Sequence, residues 1–182
     1  SSITGYHTLI NSVAFGNKAK GIDSNSCPDI QVKQSTAFNN ESYNVAFYTN
    51  AGSKTDFGAT GILSYRTKNL TQQEQLKLLQ EETTIRTTMN YFWNETKQES
   101  TNSEGNVAKD SWFVSTTDPQ ITRNADGTIN MNGFLTLTAE APVGVGARMT
   151  GTPSAVFTVA ADVVNNDDDD DDDDNNSGSS AA

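Results

Sequence analysis

The sequence holds a single cysteine, Cys27, and a single histidine, His7. One thiol excludes an internal disulfide, and with it the small secreted scaffolds that depend on such staples. One imidazole leaves any Ser/His/Asp or Cys/His relay dependent on His7, which sits in an apolar stretch near the N-terminal end, not on a loop after a strand. A histidine-based zinc site lacks ligands for the same reason. Cys27, within Asn25-Ser26-Cys27-Pro28, has no basic neighbour to favour its thiolate. No stretch approaches the ~18 apolar residues of a membrane-spanning helix, so no membrane insertion is expected. Basic residues number 12 and form no cluster that would grip phosphates, so nucleic acid is not an expected partner. Gly144-Val145-Gly146-Ala147-Arg148 lacks the third glycine and following helix of a dinucleotide loop and reads as a turn between Pro142 and Pro153.

What is present is polar and mostly uncharged. Of 182 residues, 34 % are apolar and 19 % charged, below the usual averages of roughly 45 and 25 %. Ser, Thr, Asn and Gln fill the difference. The length suits one domain. Net charge is -11, but eight of the 23 acids form the run Asp167 to Asp174; without it 12 Lys and Arg face 15 acids, a net of -3. Residues 165–182 offer no apolar side chain larger than Ala and are expected to be a disordered acidic tail. The run Asp167, Asp168, Asp169, Asp170, Asp171, Asp172, Asp173 and Asp174 is a weak candidate for diffuse Ca²⁺ collection, without EF-hand spacing. No other cofactor is expected. The division is thus an apolar arm or first strand at 1–20, a β-rich domain at 21–164 and the tail.

The fold class expected is mainly β, an antiparallel β-sandwich or barrel-like domain with one short helix. Ala155, Phe157, Val159, Ala161 and Val163 alternate with their neighbours, as do Leu135, Leu137, Ala139 and Ala141, a period of two that predicts half-buried strands. Trp112, Val114 and Thr116 form a third such set, and 30–33, 43–49 and 62–67 are further strand candidates. Asp126-Gly127 between Ile121 and Ile129 predicts a hairpin with a type I′ turn. Thr71-Gln72-Gln73-Glu74 matches a capping box and predicts a helix over 72–82, followed by a strand over 83–94. The alternative is one long helix carrying Leu78, Ile85, Met89 and Phe92 on one face. No repeat of 20 to 50 residues stands out, which argues against a solenoid or propeller.

Ile3, Tyr6, Leu9, Ile10, Val13 and Phe15 make the N-terminal stretch apolar, with no charge before Lys18. Such a stretch must dock, either as the first strand of its own sheet or as an arm that completes a neighbouring copy by strand addition. With reactive groups so sparse, the expected function is non-enzymatic: a subunit that assembles with identical subunits into an extended particle, extracellular or in a virion. Strands, a short helix and more strands within about 160 residues look like the plan of virion tail-tube subunits, and equally of pilus subunits. The second expectation is a secreted β-sandwich module binding carbohydrate or Ca²⁺. The aromatic residues from Tyr43 to Phe113 offer a sugar platform, although alternation assigns most of them to the core. Asn40-Glu41-Ser42, Asn69-Leu70-Thr71 and Asn94-Glu95-Thr96 are glycosylation triplets that lend weak support to an extracellular site. The third is a small hydrolase pairing two of Asp56, Glu81, Glu82, Glu95, Asp110, Asp118 and Glu140.

Overall fold

A computed structural model describes residues 7–25, 30–48, 57–67, 74–76, 84–117 and 119–148. Strands β1 (Thr8–Ile10), β2 (Val13–Phe15) and β3 (Ile22–Asp23) trace a first coil. The chain then retraces that path through β4 (Gln31–Lys33), β5 (Thr36–Phe38) and β6 (Val45–Ala46). Thr8 lies opposite Gln31, Val13 opposite Thr36 and Ile22 opposite Val45, all parallel and at a constant offset of 23 residues. A third coil adds β7 (Gly58–Thr60) beside β4 and β8 (Leu63–Tyr65) beside β5. Parallel bridges from Ala46 to Gln75 and from Leu63 to Tyr91 continue the stack. Successive coils that pair only with their neighbours make a parallel β-solenoid.

This overturns the antiparallel sandwich or barrel expected from alternation. A period of two reports that a strand has one apolar face, and parallel and antiparallel partners satisfy it equally. The repeat is in the text after all: Ser12-Val13-Ala14-Phe15-Gly16-Asn17 returns as Ser35-Thr36-Ala37-Phe38-Asn39-Asn40. It is obscured because the third copy, Ile62-Leu63-Ser64-Tyr65-Arg66-Thr67, shares no identical residue with the first two and follows at an offset of 27. The helix expected over 72–82 is also corrected where it can be seen. Residues 74–76 are extended, with the Phe47 N–H donating to Gln75 O and the Gln75 N–H donating to Val45 O. Tertiary pairing has overridden the helix preference of Gln, Glu and Leu. Among the described residues there is no α-helix; a 3-10 turn covers Asp110–Trp112.

Inside the coils, Leu9, Val32 and Ala59 stack in one column and Ala14, Ala37 and Ser64 in another. They pack with Ile22, Val45, Phe47, Ile62, Leu76, Ile85 and Phe92. The outer face of β2, β5 and β8 is not left to solvent. Val13, Phe15, Phe38, Leu63 and Tyr65 are covered by Trp112, Phe113, Met131, Phe134, Leu135 and Leu137, so this sheet is apolar on both faces. Strands β9 (Phe92–Asn94) and β10 (Glu99–Thr101) then pair antiparallel.

Asn11, Gln34 and Gly61 occupy equivalent bends between the paired strands, all with positive φ (49°, 42° and 74°). At Gly61 the constraint is double, since a Cβ there would lie 2.1 Å from the Gly144 carbonyl oxygen. Gly61→Ala is therefore expected to cost at least about 2 kcal/mol in urea denaturation. A loss near zero would show that the 144–146 turn can withdraw.

The hairpin expected between Ile121 and Ile129 is present as β11 (Thr122–Arg123) and β12 (Ile129–Asn130). Its turn differs from the type I′ expectation. Only Gly127 has positive φ (86°), and its N–H donates to Asn124 O, a three-residue loop closed by a left-handed glycine. Residues 134–141 form no strand, because Leu135 takes a left-handed φ of 53° and only isolated bridges remain, Phe113 to Leu137 and Ser115 to Phe134. Residues 112–116 likewise contribute only those two bridges after the 3-10 turn. The strand expected at 155–164 and the tail with its Asp run lie outside the described residues.

Candidate functional site

The residues flagged for assembly are split by the coil geometry. Leu9 points into the solenoid interior, Ile10 is 39 % exposed, and Val13 and Phe15 sit half-buried on the outer face. All four belong to strands paired with the chain's own second coil. Ile3 and Tyr6 lie outside the described residues, as do Cys27 and Asp167 to Asp174. His7 is exposed, and only its carbonyl is engaged, by the Gln31 N–H at 2.7 Å. No group of three or more His, Cys, Asp or Glu able to hold a metal occurs among the described residues.

The acids proposed as a catalytic pair are dispersed into separate contacts. Asp110 accepts the Tyr65 hydroxyl at 2.6 Å, and burial of that phenol together with this bond holds its proton on. Glu140 accepts the Ser111 hydroxyl at 2.6 Å, while Glu95 stands in the β9–β10 turn. Asp56, Glu81, Glu82 and Asp118 fall outside the described residues.

Among the described residues one carboxylate is buried, that of Glu74, which is not among those candidates. Glu74 accepts the Val45 N–H at 2.8 Å and the Ser64 hydroxyl, and Ser64 in turn accepts the Asn44 amide at 3.1 Å. Burial pushes its carboxyl up to about 7, against the opposing pull of Ser64, Val45, the Arg66 charge and the Trp93 N–H. The same network runs on through Asn44 and Asn40 to Asn17 at the solenoid corner. Asn40 is fully buried and each of its side-chain atoms is bonded, so the triplet Asn40-Glu41-Ser42 cannot accept a glycan in the folded chain. Among the described residues this polar chain joins the first, second and third coils.

A cleft of about 510 Å³ opens elsewhere, along the corner that follows β2, β5 and β8. It is lined by Gly16, Asn39 and Thr67, which follow the three strands, by Thr116, Thr117 and Pro119, and by Phe15, Phe38 and Phe134. The Phe134 ring meets Phe15 at 5.1 Å and Phe38 at 5.8 Å, both edge to face. Asn39 is held by two bonds to Thr67, its amide donating to the hydroxyl at 2.9 Å and its oxygen accepting the N–H at 3.1 Å. No lining residue is ionisable. A smaller cavity of about 220 Å³ beside Arg86 and Asn90 is structural, because the Asn90 side chain is consumed by Ile62, Ala59 and Ile85. The aromatic residues between Tyr43 and Phe113 are mostly buried, as alternation indicated, and none of them lines the cleft.

Comparison with known proteins gives one partial likeness. The chain is 39 % identical over 62 residues to pectate lyase L of Thermoclostridium stercorarium. That stretch is 34 % of this chain and 5 % of the relative, so only a small part of that protein is represented. No family model matches the chain, and no solved structure matches it.

Proposed function

We propose that this chain is a non-catalytic, extracellular glycan-binding module, and that the cleft over Phe15, Phe38 and Phe134 takes a short segment of neutral polysaccharide. The observation that carries the reading is the cleft's lining. The half-buried Phe15 ring, backed by the buried Phe38 and Phe134, offers apolar surface to the C–H face of a sugar, while an amide and three threonine hydroxyls offer directional bonds to its hydroxyl groups. The partial likeness to a pectate lyase supports a polysaccharide as the ligand class. Pectate itself is a polyanion, and the absence of any cationic side chain among the lining residues favours an uncharged chain instead.

Titration calorimetry with neutral oligosaccharides, and with oligogalacturonate in parallel, tests this. Neutral oligomers are expected to bind with Kd between about 1 µM and 1 mM. Thr67→Trp, which fills the cleft from an exposed corner position, is expected to weaken binding at least tenfold with an unchanged circular dichroism spectrum. Equal binding by this variant, or no neutral ligand at all, would remove the cleft from consideration. Cleavage of oligogalacturonate would replace the module by an enzyme.

A further inference from the structure

Strands β9 and β10 are joined by the turn 95–98, and the chain enters it through Asn94-Glu95-Thr96, one of the three glycosylation triplets. Asn94 ends β9, paired with Glu99. Its side-chain oxygen accepts the Thr96 N–H and the Lys97 N–H, each at 3.0 Å, and its backbone carbonyl accepts the Gln98 N–H at 2.8 Å. An Asn whose oxygen bonds amides two and three residues on closes such a turn without help from its nitrogen. Nδ2 of Asn94 donates to nothing in the structure, and the Thr96 hydroxyl is bonded to nothing either. Asn94 is half-buried, while Thr96, Lys97 and Gln98 are exposed.

Asn40, in the triplet Asn40-Glu41-Ser42, is the opposite case. Its amide donates to the Ala14 carbonyl at 3.1 Å and to the Asn44 side chain at 3.0 Å, so both N–H groups are engaged, and the residue is fully buried. A sugar on this nitrogen would break one of those bonds and find no space. A sugar on Asn94 replaces an N–H that has no partner and leaves the oxygen free to accept, so every bond of the turn survives. Asn69, of the third triplet, lies outside the described residues.

We propose that Asn94 is an attachment site for an N-linked glycan. The proposal rests on the extracellular part of the reading above, not on the cleft. An Asn-Xaa-Thr triplet is a modification signal where it lies on an accessible surface turn of a secreted chain, and the β9–β10 turn supplies that context. The co-reactant is an oligosaccharide carried on a lipid diphosphate. Nδ2 forms a bond to C1 of the first sugar, the C1–O bond to the diphosphate breaks, the lipid diphosphate leaves with that electron pair, and the transferase takes one Nδ2 proton. No group is oxidised or reduced.

Secretion of the full chain, behind a removable signal, from a eukaryotic cell that glycosylates Asn-Xaa-Thr tests the site. An amidase that releases the glycan in heavy-oxygen water converts the carrying Asn to a labelled Asp, and peptide mapping then reads each triplet separately, Asn69 included. The expected result is label at Asn94 and none at Asn40. Asn94→Gln and Thr96→Ala are expected to abolish the label at this site and Thr96→Ser to retain it, with unchanged circular dichroism spectra. A folded, secreted chain unlabelled at Asn94, or labelled at Asn40, would overturn the proposal. So would label that persists at Asn94 in Thr96→Ala. Should a variant fail to be secreted, the map of the unmodified chain decides alone. Oligosaccharide titration of the unglycosylated chain reads the cleft independently, so the failure of either leaves the other standing.

Discussion

Asn40→Ala is expected to destabilise the protein by about 3 kcal/mol or more, read as a shift in urea denaturation. The residue is a small polar side chain at a corner of the second coil, yet its oxygen accepts both the Asn17 N–H at 3.0 Å and the Asn17 amide at 2.7 Å. Its own amide donates to the Ala14 carbonyl at 3.1 Å and to Asn44 at 3.0 Å. Truncation leaves the buried Asn44 side chain, the Asn17 N–H and the half-buried Ala14 carbonyl short of a partner and opens a cavity between the first two coils, and each buried group so left costs about 1–3 kcal/mol. Gly21 lies against this amide so closely that a Cβ there would fall 2.4 Å from its nitrogen, so a larger residue cannot relieve the loss. Asn17→Ala serves as comparison: Asn17 is exposed, water replaces its partner, and a cost below about 1 kcal/mol is expected. If the two variants lose the same stability, the corner network is not what joins the coils.

The second large effect is a dependence of stability on pH that runs opposite to ordinary acid denaturation. Burial, which disfavours the charged form, pushes the Glu74 carboxyl in the folded chain up from its ordinary 4.5 to about 7. A carboxyl raised on folding contributes stability that is fully present below pH 4.5, where both states are protonated. That contribution is lost as pH rises from 4.5 to 7, where the unfolded chain gives up the proton and the folded chain retains it. Each pH unit in this window removes about 1.4 kcal/mol, about 3 kcal/mol in all. Glu74→Gln does not titrate, so the stability difference between variant and parent should move by about 3 kcal/mol in favour of the variant between pH 4.5 and 7.5. Using that difference cancels the Asp run and the other surface acids, which both proteins share. A difference that stays flat across the window would mean that Arg66 and the bonds from Val45 and Ser64 hold the carboxylate charged at low pH.

Part of the candidate site was legible from residue order. Phe15 and Phe38 occupy the same place in the two Ser-Xaa-Ala-Phe-Xaa-Asn segments, followed by Gly16 and Asn39, and that recurrence already aligns two coils and part of the cleft lining. The rest was not. Phe134, Thr116, Thr117 and Pro119 reach the cleft from a segment without a strand pattern of its own, held by isolated bridges from Phe113 and Ser115. Glu74 is the fourth residue of a capping-box pattern, in which an acid caps a helix from the surface. In the structure the same side chain is buried and caps the Val45 N–H of another coil.

Composition and alternation by themselves determined that the chain is β-rich and polar, that its single cysteine forms no internal disulfide, and that Asp126-Gly127 turns a hairpin. These follow from local preferences, which neighbouring residues carry. Only the tertiary structure decided that the strands stack in parallel as coils, that β2, β5 and β8 are covered on both faces, and that Asn40 is a buried joint instead of a glycan acceptor. The reason is that alternation specifies which side of a strand avoids water but not which distant segment lies beside it. That choice is made by backbone pairing and burial between residues far apart in the chain.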